Sequence, residues 1–253
     1  MIESIAVSVA LTVHELGALA AAAFAAGLVR GFAGFGLSAV VMAACAIYIQ
    51  PLYLIPVCFM LEAAASLAMF RGGLRDADMR IVWGLAIGSM LGAPLGLYAT
   101  QVLDSHSSKT VALVLVLALT GLQLAKVRSP LLSTPVGLYL SGLCAGVATG
   151  LASIGGMVVA LYVLSSEVSA RQMRGSLVMF LFIGMFSSTI YLLAFDMLNK
   201  VALVRAFCVA PLMFLGLLLG TQLFRPAWQG YYKPVCLSLL LLLSAVGLFR
   251  QFF

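Results

Sequence analysis

A cationic side chain lies among glycines in the first long apolar stretch of the chain, GLVRGFAGFGLSA at 27–39. Arginine carries a permanent charge, and glycine permits unwound backbone that a ligand can approach closely. A helix that begins near Gly36 would direct free N–H groups and a partial positive charge at this break, an arrangement that binds anions. The sequence therefore predicts an anion site formed by Arg30, Gly31, Gly34, Gly36 and Ser38.

A second stretch, GVATGLASIGG at 146–156, repeats the glycine spacing of the first. We expect it to open a second short helix toward the same anion. Its site residues would be Gly150, Ser153, Gly155 and Gly156, and Arg174 follows where the next helix is expected to open. Hydroxyl groups such as that of Ser153 can donate hydrogen bonds to oxyanions, although small polar residues also join membrane helices to one another.

Glu62 is an isolated acid in the middle of the apolar segment 52–70. An ionisable group at this depth faces a cavity or a partner. The sequence leaves two interpretations open: Glu62 carries a proton that is coupled to transport, or it forms a structural pair with Arg30 or another arginine. Arg30 has an alternative of its own, as an anchor whose side chain extends to the lipid headgroups.

Many of the glycines are four residues apart, the GxxxG spacing that lets membrane helices pack closely. We expect packing for the sets that contain Gly88 and Gly216. For the glycines of the two breaks we favour the anion site, because packing alone explains neither the breaks nor the short apolar segments that follow. The four sets with this spacing are Gly27/Gly31, Gly88/Gly92/Gly96, Gly142/Gly146/Gly150 and Gly216/Gly220.

The elements that must hold these residues are membrane helices. Of 253 residues, 64% are hydrophobic and 9% are charged, whereas a soluble domain has about 25% charged residues. The segments at 35–50 and 154–165 are shorter than the roughly 17 residues that a spanning helix needs, so we expect half-helices there. The apolar segments lie at 5–28, 35–50, 52–70, 81–103, 110–125, 135–150, 154–165, 175–195, 201–224 and 232–250.

The two similar breaks divide the chain into two repeats, 5–125 and 135–250, joined by a linker at 126–134. Five segments in each repeat would place the second copy upside down relative to the first, an architecture of transporters. With the N-terminus outside, the inner loops carry ten basic residues and the outer loops four, in agreement with the positive-inside rule. We thus expect an all-α polytopic protein of the bacterial inner membrane with two inverted repeats.

Other classes of function find little support. The net charge of +6 suits basic cytoplasmic loops rather than a nucleic-acid surface. The five cysteines are scattered singly, so we expect no metal and no cofactor. There is no phosphate-binding loop and no pair of catalytic residues, which argues against ATP-driven pumping and against an enzyme.

The two breaks together resemble the signatures of the TauE/SafE sulfite exporter family, also called the toluene sulfonate uptake permease family. RGFAGFG at 30–36 is similar to the first signature, and GLASIGGMVVALYVL at 150–164 to the second. RGSLVMF at 174–180 is similar to the stretch that follows the second signature in many members. Two residues depart from the pattern, Met157 after the second break and Ser153 in place of a glycine.

This resemblance implies a carrier for sulfite, sulfonates or related sulfur oxyanions in the cytoplasmic membrane. We expect a secondary transporter, with proton-coupled export as the favoured direction, whose partners are the anion, the lipid bilayer and protons. Two alternatives stay open: a passive anion channel, and a membrane partner of a sulfur-metabolising enzyme. The sequence also leaves open which anion is carried and whether the protein forms a homodimer.

Overall fold

The computed structural model describes residues 11–125, 134–165, 169–223, 237–238, 241–242 and 244–249. In this part of the chain every regular element is a helix. Seven of the helices are long and apolar enough to cross a membrane, so the protein is an all-α, multi-pass membrane protein. In chain order the helices are α1 (Val13–Ala33), α2 (Leu37–Cys45), α3 (Pro51–Asp76), α4 (Met79–Val102), α5 (Ser105–Leu124), α6 (Pro135–Ala152), α7 (Gly155–Ser165), α8 (Ala170–Ala194) and α9 (Lys200–Leu223).

Local sequence signals set where most of the long helices begin. Thr12 and Glu15 form a capping box at the start of α1, which satisfies two backbone N–H groups that have no partner within the helix. Asp78, Asp104, Thr134 and Ser169 accept backbone N–H groups in the same way at the starts of α4, α5, α6 and α8. The helix α3 instead begins with a proline, whose fixed φ suits the first helical position.

The two short segments expected from the sequence are short helices. The first, α2, has nine residues and the second, α7, has eleven. Nearly all side chains of α2 are buried, so this helix lies in the interior. The first expected segment, 5–28, corresponds to α1, which continues to Ala33; most of the last one, 232–250, lies outside the described residues.

Contacts between helices define two ends of the molecule. The pair Arg171–Asp76 brings the start of α8 to the end of α3, and we call this the Asp76 end. At the opposite end of α3, a cavity is lined by Tyr53, by residues after the end of α8 and by the first turns of α9; we call this the Tyr53 end. Since α3 has 26 residues, the two ends are about 39 Å apart along that helix.

Helices in the bundle run in two opposite directions. The contacts of Gly27 with Met213 and of Gly31 with Leu217 make α1 parallel to α9. Those of Gly88 with Tyr139 and of Gly92 with Leu143 make α4 parallel to α6. The helices α1, α3 and α9 run from the Tyr53 end to the Asp76 end, and α4, α6 and α8 run the other way.

Two glycine seams hold these parallel pairs together, one between α1 and α9 and the other between α4 and α6. A Cβ atom on Gly92 would lie 2.1 Å from the Leu143 carbonyl oxygen, and one on Gly216 would lie 2.1 Å from that of Phe24. Only glycine allows backbones to approach this closely. The packing role expected for the sets of Gly88 and Gly216 is confirmed.

Candidate functional site

The first break lies between α1 and α2. Gly34, which ends α1, has φ 82°, and Gly36, which precedes α2, has φ 91°. Side chains strongly disfavour this left-handed backbone. A Cβ on Gly34 would also lie 2.8 Å from Cγ of Arg174. Both the left-handed backbone and the close approach of Arg174 therefore require glycine at position 34. The break directs α2 back into the interior.

Arg30 lies beside this break and is fully buried. Its guanidinium donates to the Gly34 carbonyl oxygen and to Ser66 Oγ, the latter at 2.8 Å. Its Nε lies 3.2 Å from Oε2 of Glu62. The interpretation of Arg30 as an anchor that reaches the lipid headgroups is therefore wrong, because its charge is held inside the bundle by α3.

Glu62 occupies the position in which the sequence predicts an anion. The N–H and the hydroxyl of Ser38, in the first turn of α2, donate to its Oε1 at 3.3 Å and 3.1 Å. The positive end of the α2 dipole therefore meets a carboxylate that belongs to the protein. Of the two interpretations of Glu62, the ion pair with Arg30 is present, and the proton-carrying role stays a prediction.

The ion pair retains hydrogen-bonding capacity. Arg30 Nε and Glu62 Oε2 face each other, yet neither makes a hydrogen bond in the part of the chain that the structure describes. A buried group with an unused donor or acceptor costs free energy. A proton, a water molecule or an anion could each satisfy one of these two atoms.

Arg174 approaches the first break from α8. It donates to the Gly31 carbonyl oxygen at 2.6 Å and is part of the lining of a cavity of about 560 Å³ at the Asp76 end. Arg171 and Asp76 line the same cavity, which we call the Arg174 cavity. Two cations and one carboxylate thus line this cavity, and Arg174 joins it to the first break through Gly31.

The second break lies between α6 and α7, on the other side of Glu62. Ser153 ends α6 with φ 58°. Together with Thr149 of α6, Ser89 of α4 and Ser188 of α8, it lines a cavity of about 40 Å³ that also touches Glu62. We call this space the Glu62 cavity, and it is where the carboxylate faces the second break.

The predicted glycines differ in their surroundings. A Cβ on Gly31, Gly150 or Gly155 would lie 2.0–2.3 Å from neighbouring atoms, so close packing already requires glycine there. At Gly156 the nearest atoms are the end of the Leu181 side chain at 3.4 Å and Cβ of Phe35 at 3.6 Å. Gly156 therefore lies beside the first break, and its own surroundings leave room for a methyl group.

Two further cavities continue from the Glu62 cavity toward the Tyr53 end. A space of about 20 Å³, the Tyr191 cavity, shares Thr149, Ser153 and Ser188 with the Glu62 cavity and adds Tyr191. Beyond it, a cavity of about 440 Å³, the Arg205 cavity, is lined by Tyr53, Gln101 and Arg205. The cavities thus extend from Glu62 toward the end of the molecule opposite the Arg174 cavity.

Several residues of the site escaped the sequence analysis, chiefly Ser66, Ser89, Ser188 and Tyr191. Their signal was weak, since a single serine or tyrosine in an apolar helix is common. A metal site finds no support in the described part of the chain, where no three His, Cys, Asp or Glu side chains lie together.

Comparison with known proteins yields one match. The family model described as Sulfite exporter TauE/SafE matches residues 19–247. This range covers both breaks, Glu62 and Arg174. No curated protein and no solved structure matches the chain significantly.

Proposed function

The chain belongs to the Sulfite exporter TauE/SafE family, whose model matches residues 19–247, and on this premise we propose that it carries a small sulfur-containing anion across the cytoplasmic membrane. The observation that supports the proposal most directly is the buried Arg30–Glu62 pair beside the first break. A buried cation at a helix break is a suitable group for sulfite, a sulfonate or a related oxyanion.

The anion would bind where Glu62 now meets Arg30. When Glu62 is ionised it neutralises the guanidinium and accepts both hydrogen bonds from Ser38. A protonated Glu62 no longer neutralises Arg30. An oxyanion could then accept hydrogen bonds from Arg30 and from Ser38 in its place. Ser153 and Gly156 would complete the site from the second break, since Ser153 lines the Glu62 cavity and Gly156 lies beside Phe35 of the first break.

Glu62 would carry the proton that is coupled to transport. If protonation of Glu62 strengthens anion binding, then the bound anion must favour protonation of Glu62 by the same factor. We propose proton-coupled export, in which the anion enters through the Arg174 cavity and binds Arg30 once Glu62 has taken its proton.

We infer further that the halves 5–125 and 135–250 are inverted repeats. The opposite directions of their counterpart helices support this, since α1 opposes α6, α3 opposes α8 and α4 opposes α9. Inverted repeats rock against each other to open a central site to either side. Arg71, Arg75, Arg80 and Arg171 cluster at the Asp76 end, which favours an inner-membrane orientation with that end in the cytoplasm and the N-terminus outside.

Transport into proteoliposomes tests the proposal. We expect the protein to concentrate labelled sulfite, thiosulfate or methanesulfonate when a pH gradient is imposed, and Glu62→Gln to remove the pH dependence. Flux that only dissipates an anion gradient would indicate the channel alternative. Absence of any flux with all three anions would contradict transport and favour the membrane partner of an enzyme.

Asp104 offers a control for the pH dependence. It caps α5, and the hydroxyl and N–H of Ser107 donate to its carboxylate, which holds the pKa of Asp104 below its ordinary value. A lowered pKa stabilises the fold above the ordinary value, and this contribution is lost only as the pH falls through the lowered value. Near neutral pH the cap stays intact, so Asp104→Asn should leave the pH profile of transport unchanged.

A further inference from the structure

Hydroxyl-bearing residues extend from Glu62 toward the Tyr53 end. Ser89, Thr149, Ser153 and Ser188 line the Glu62 cavity, and the last three also line the adjoining Tyr191 cavity. These residues come from three helices, namely α4, α6 with its C-cap, and α8. The polar residues therefore form a continuous group beside an otherwise apolar interior.

The two cavities are large enough for water but too small for an oxyanion and its hydration shell. Their volumes are about 40 Å³ and about 20 Å³, and a water molecule needs roughly 10–15 Å³ of such space together with two or more polar partners. The hydroxyls of Ser89, Ser153 and Ser188 belong to residues that line these spaces, and each hydroxyl can donate to water and accept from it.

Thr149 and Tyr191 can take part through their lone pairs. The Thr149 hydroxyl donates to the Ala145 carbonyl oxygen at 2.8 Å, and the Tyr191 hydroxyl donates to that of Met90 at 2.9 Å. Each oxygen can still accept a hydrogen bond from water. The lining thus offers both donors and acceptors along its length, which a chain of hydrogen-bonded water requires.

The charged and polar groups that face Glu62 itself lie on the side away from these hydroxyls. Arg30 faces it from α1, the Ser38 hydroxyl faces it from α2, and the charge of Arg30 acts in turn on Arg174 of α8. Cys58, one turn before Glu62 on α3, also senses its charge. Among the residues that the structure describes, Glu62 is the only Lys, Arg, Asp or Glu that lines the Glu62 cavity, and none lines the Tyr191 cavity.

From this separation we propose that the Glu62 and Tyr191 cavities form a proton route, and that the proton and the anion reach the Arg30–Glu62 pair from opposite ends of the molecule. The inference rests on the proposed function, in which Glu62 takes the proton. A proton passes from water in the Arg205 cavity along the hydroxyl-lined water chain, each oxygen giving one proton and receiving one. The Glu62 carboxylate receives the last proton and becomes neutral.

The anion takes the other route, through the Arg174 cavity. Its entry is favoured by Arg171 and Arg174, whereas among the described residues no Lys or Arg lines the two cavities nearest Glu62 on the hydroxyl side. With the Asp76 end in the cytoplasm, the proton arrives from outside and the anion from inside. Such a division lets a proton and an anion occupy the central pair together without sharing a path to it.

The test uses the full-length protein in liposomes that contain a pH-sensitive dye, with thiosulfate as the probe because it stays fully ionised near neutral pH. We expect Thr149→Val and Ser188→Ala to slow thiosulfate-dependent proton flux by about tenfold, the change in rate that corresponds to the loss of roughly one hydrogen bond from the transition state. Thiosulfate affinity, measured on the same preparations, should stay within about twofold of the wild-type value, because the anion route is unchanged. A twofold change in affinity corresponds to only about 0.4 kcal/mol.

Matched variants separate this role from a structural one. Thr149→Ser keeps the hydroxyl and should restore the flux. Ser187→Ala, on the same helix as Ser188, should have no effect, because the Ser187 hydroxyl donates to the Gly184 carbonyl oxygen within α8 and Ser187 lines neither cavity.

Unchanged proton flux in Thr149→Val and Ser188→Ala, beside normal coupled transport by the wild type, would overturn the proton route and leave the proposed function standing. A loss of thiosulfate affinity that parallels the loss of flux would overturn it as well, since the cavity would then belong to the anion. If the wild type neither binds nor transports sulfite, thiosulfate or methanesulfonate, the proposed function fails and the proton route with it.

Discussion

Arg30 of α1 and Glu62 of α3 form an ion pair inside the bundle, with Nε and Oε2 3.2 Å apart and the arginine fully buried. Taking two charges out of water costs more free energy than a simple contact returns unless other hydrogen bonds compensate. Ser38, Ser66 and the Gly34 carbonyl oxygen supply such bonds. Protonation of Glu62 would change the net charge of the Arg30–Glu62 pair from zero to +1. The charge beside the break at Gly34 therefore depends on whether Glu62 carries a proton.

Removing only one partner of the pair should be costly. We expect Arg30→Met to lose about 3 kcal/mol or more of stability, because it leaves the Glu62 carboxylate buried without its cation. The double variant Arg30→Met/Glu62→Leu should recover most of this loss, since neither charge is then buried. The midpoint of thermal unfolding in detergent measures both effects.

Transport by the same variants separates stability from function. Neither the single nor the double variant should transport the anion, because both lack the guanidinium. A double variant that is stable and still transports thiosulfate would show that Arg30 has only a structural role.

The glycine seams should tolerate no side chain. In Gly92→Ala or Gly216→Ala the new methyl group would lie about 2 Å from a backbone oxygen, and the helices would have to separate. We expect a loss of at least about 1–3 kcal/mol, the usual cost of overpacking. Gly184→Ala is the matched control, since nothing lies within 4 Å of its new Cβ and alanine favours a helix by up to about 1 kcal/mol.

Gly156 is the glycine at which the anion site can be tested without loss of the fold. Its added methyl group would make an ordinary contact at 3.4 Å with the flexible end of Leu181. We expect Gly156→Ala to unfold at the wild-type temperature and to bind sulfite or thiosulfate more weakly, because the anion could no longer approach the backbone of α7. Normal affinity together with normal stability would exclude Gly156 from the site.

Two arginines of the Arg174 cavity should differ in their effects on transport. Arg174 donates to the Gly31 carbonyl oxygen at the break, so Arg174→Gln should raise the KM for anion presented at the Asp76 end by about tenfold, equivalent to about 1.4 kcal/mol. Arg171 is more than half exposed and pairs with Asp76 at the rim. The increase in KM for Arg171→Gln should therefore correspond to about 1 kcal/mol or less, a smaller change than for Arg174→Gln. Initial rates at low and high salt provide the comparison, and equal effects of the two variants would contradict a special role for Arg174.

The membrane character, the two short helices and their glycine breaks could all be predicted from sequence, because each follows from local composition. Long apolar runs must be helical in lipid, and runs shorter than a bilayer's thickness cannot span it. The GxxxG spacing likewise indicated close packing before any partner helix was known. The sequence also placed Arg30 and Glu62 among the residues that matter, since charges are rare in such segments.

Which groups meet was decided by the tertiary structure. Arg30 and Glu62 are 32 positions apart in the chain, and no local pattern distinguishes an arginine that reaches the headgroups from one enclosed by α3. The same holds for Gly31 and Gly150, whose spacing allows both an anion site and a seam until the partner backbones α9 and α4 are in place. The serines of the Glu62 cavity come from separate helices, and their convergence depends on the long-range packing of side chains, which leaves no local signal along the chain.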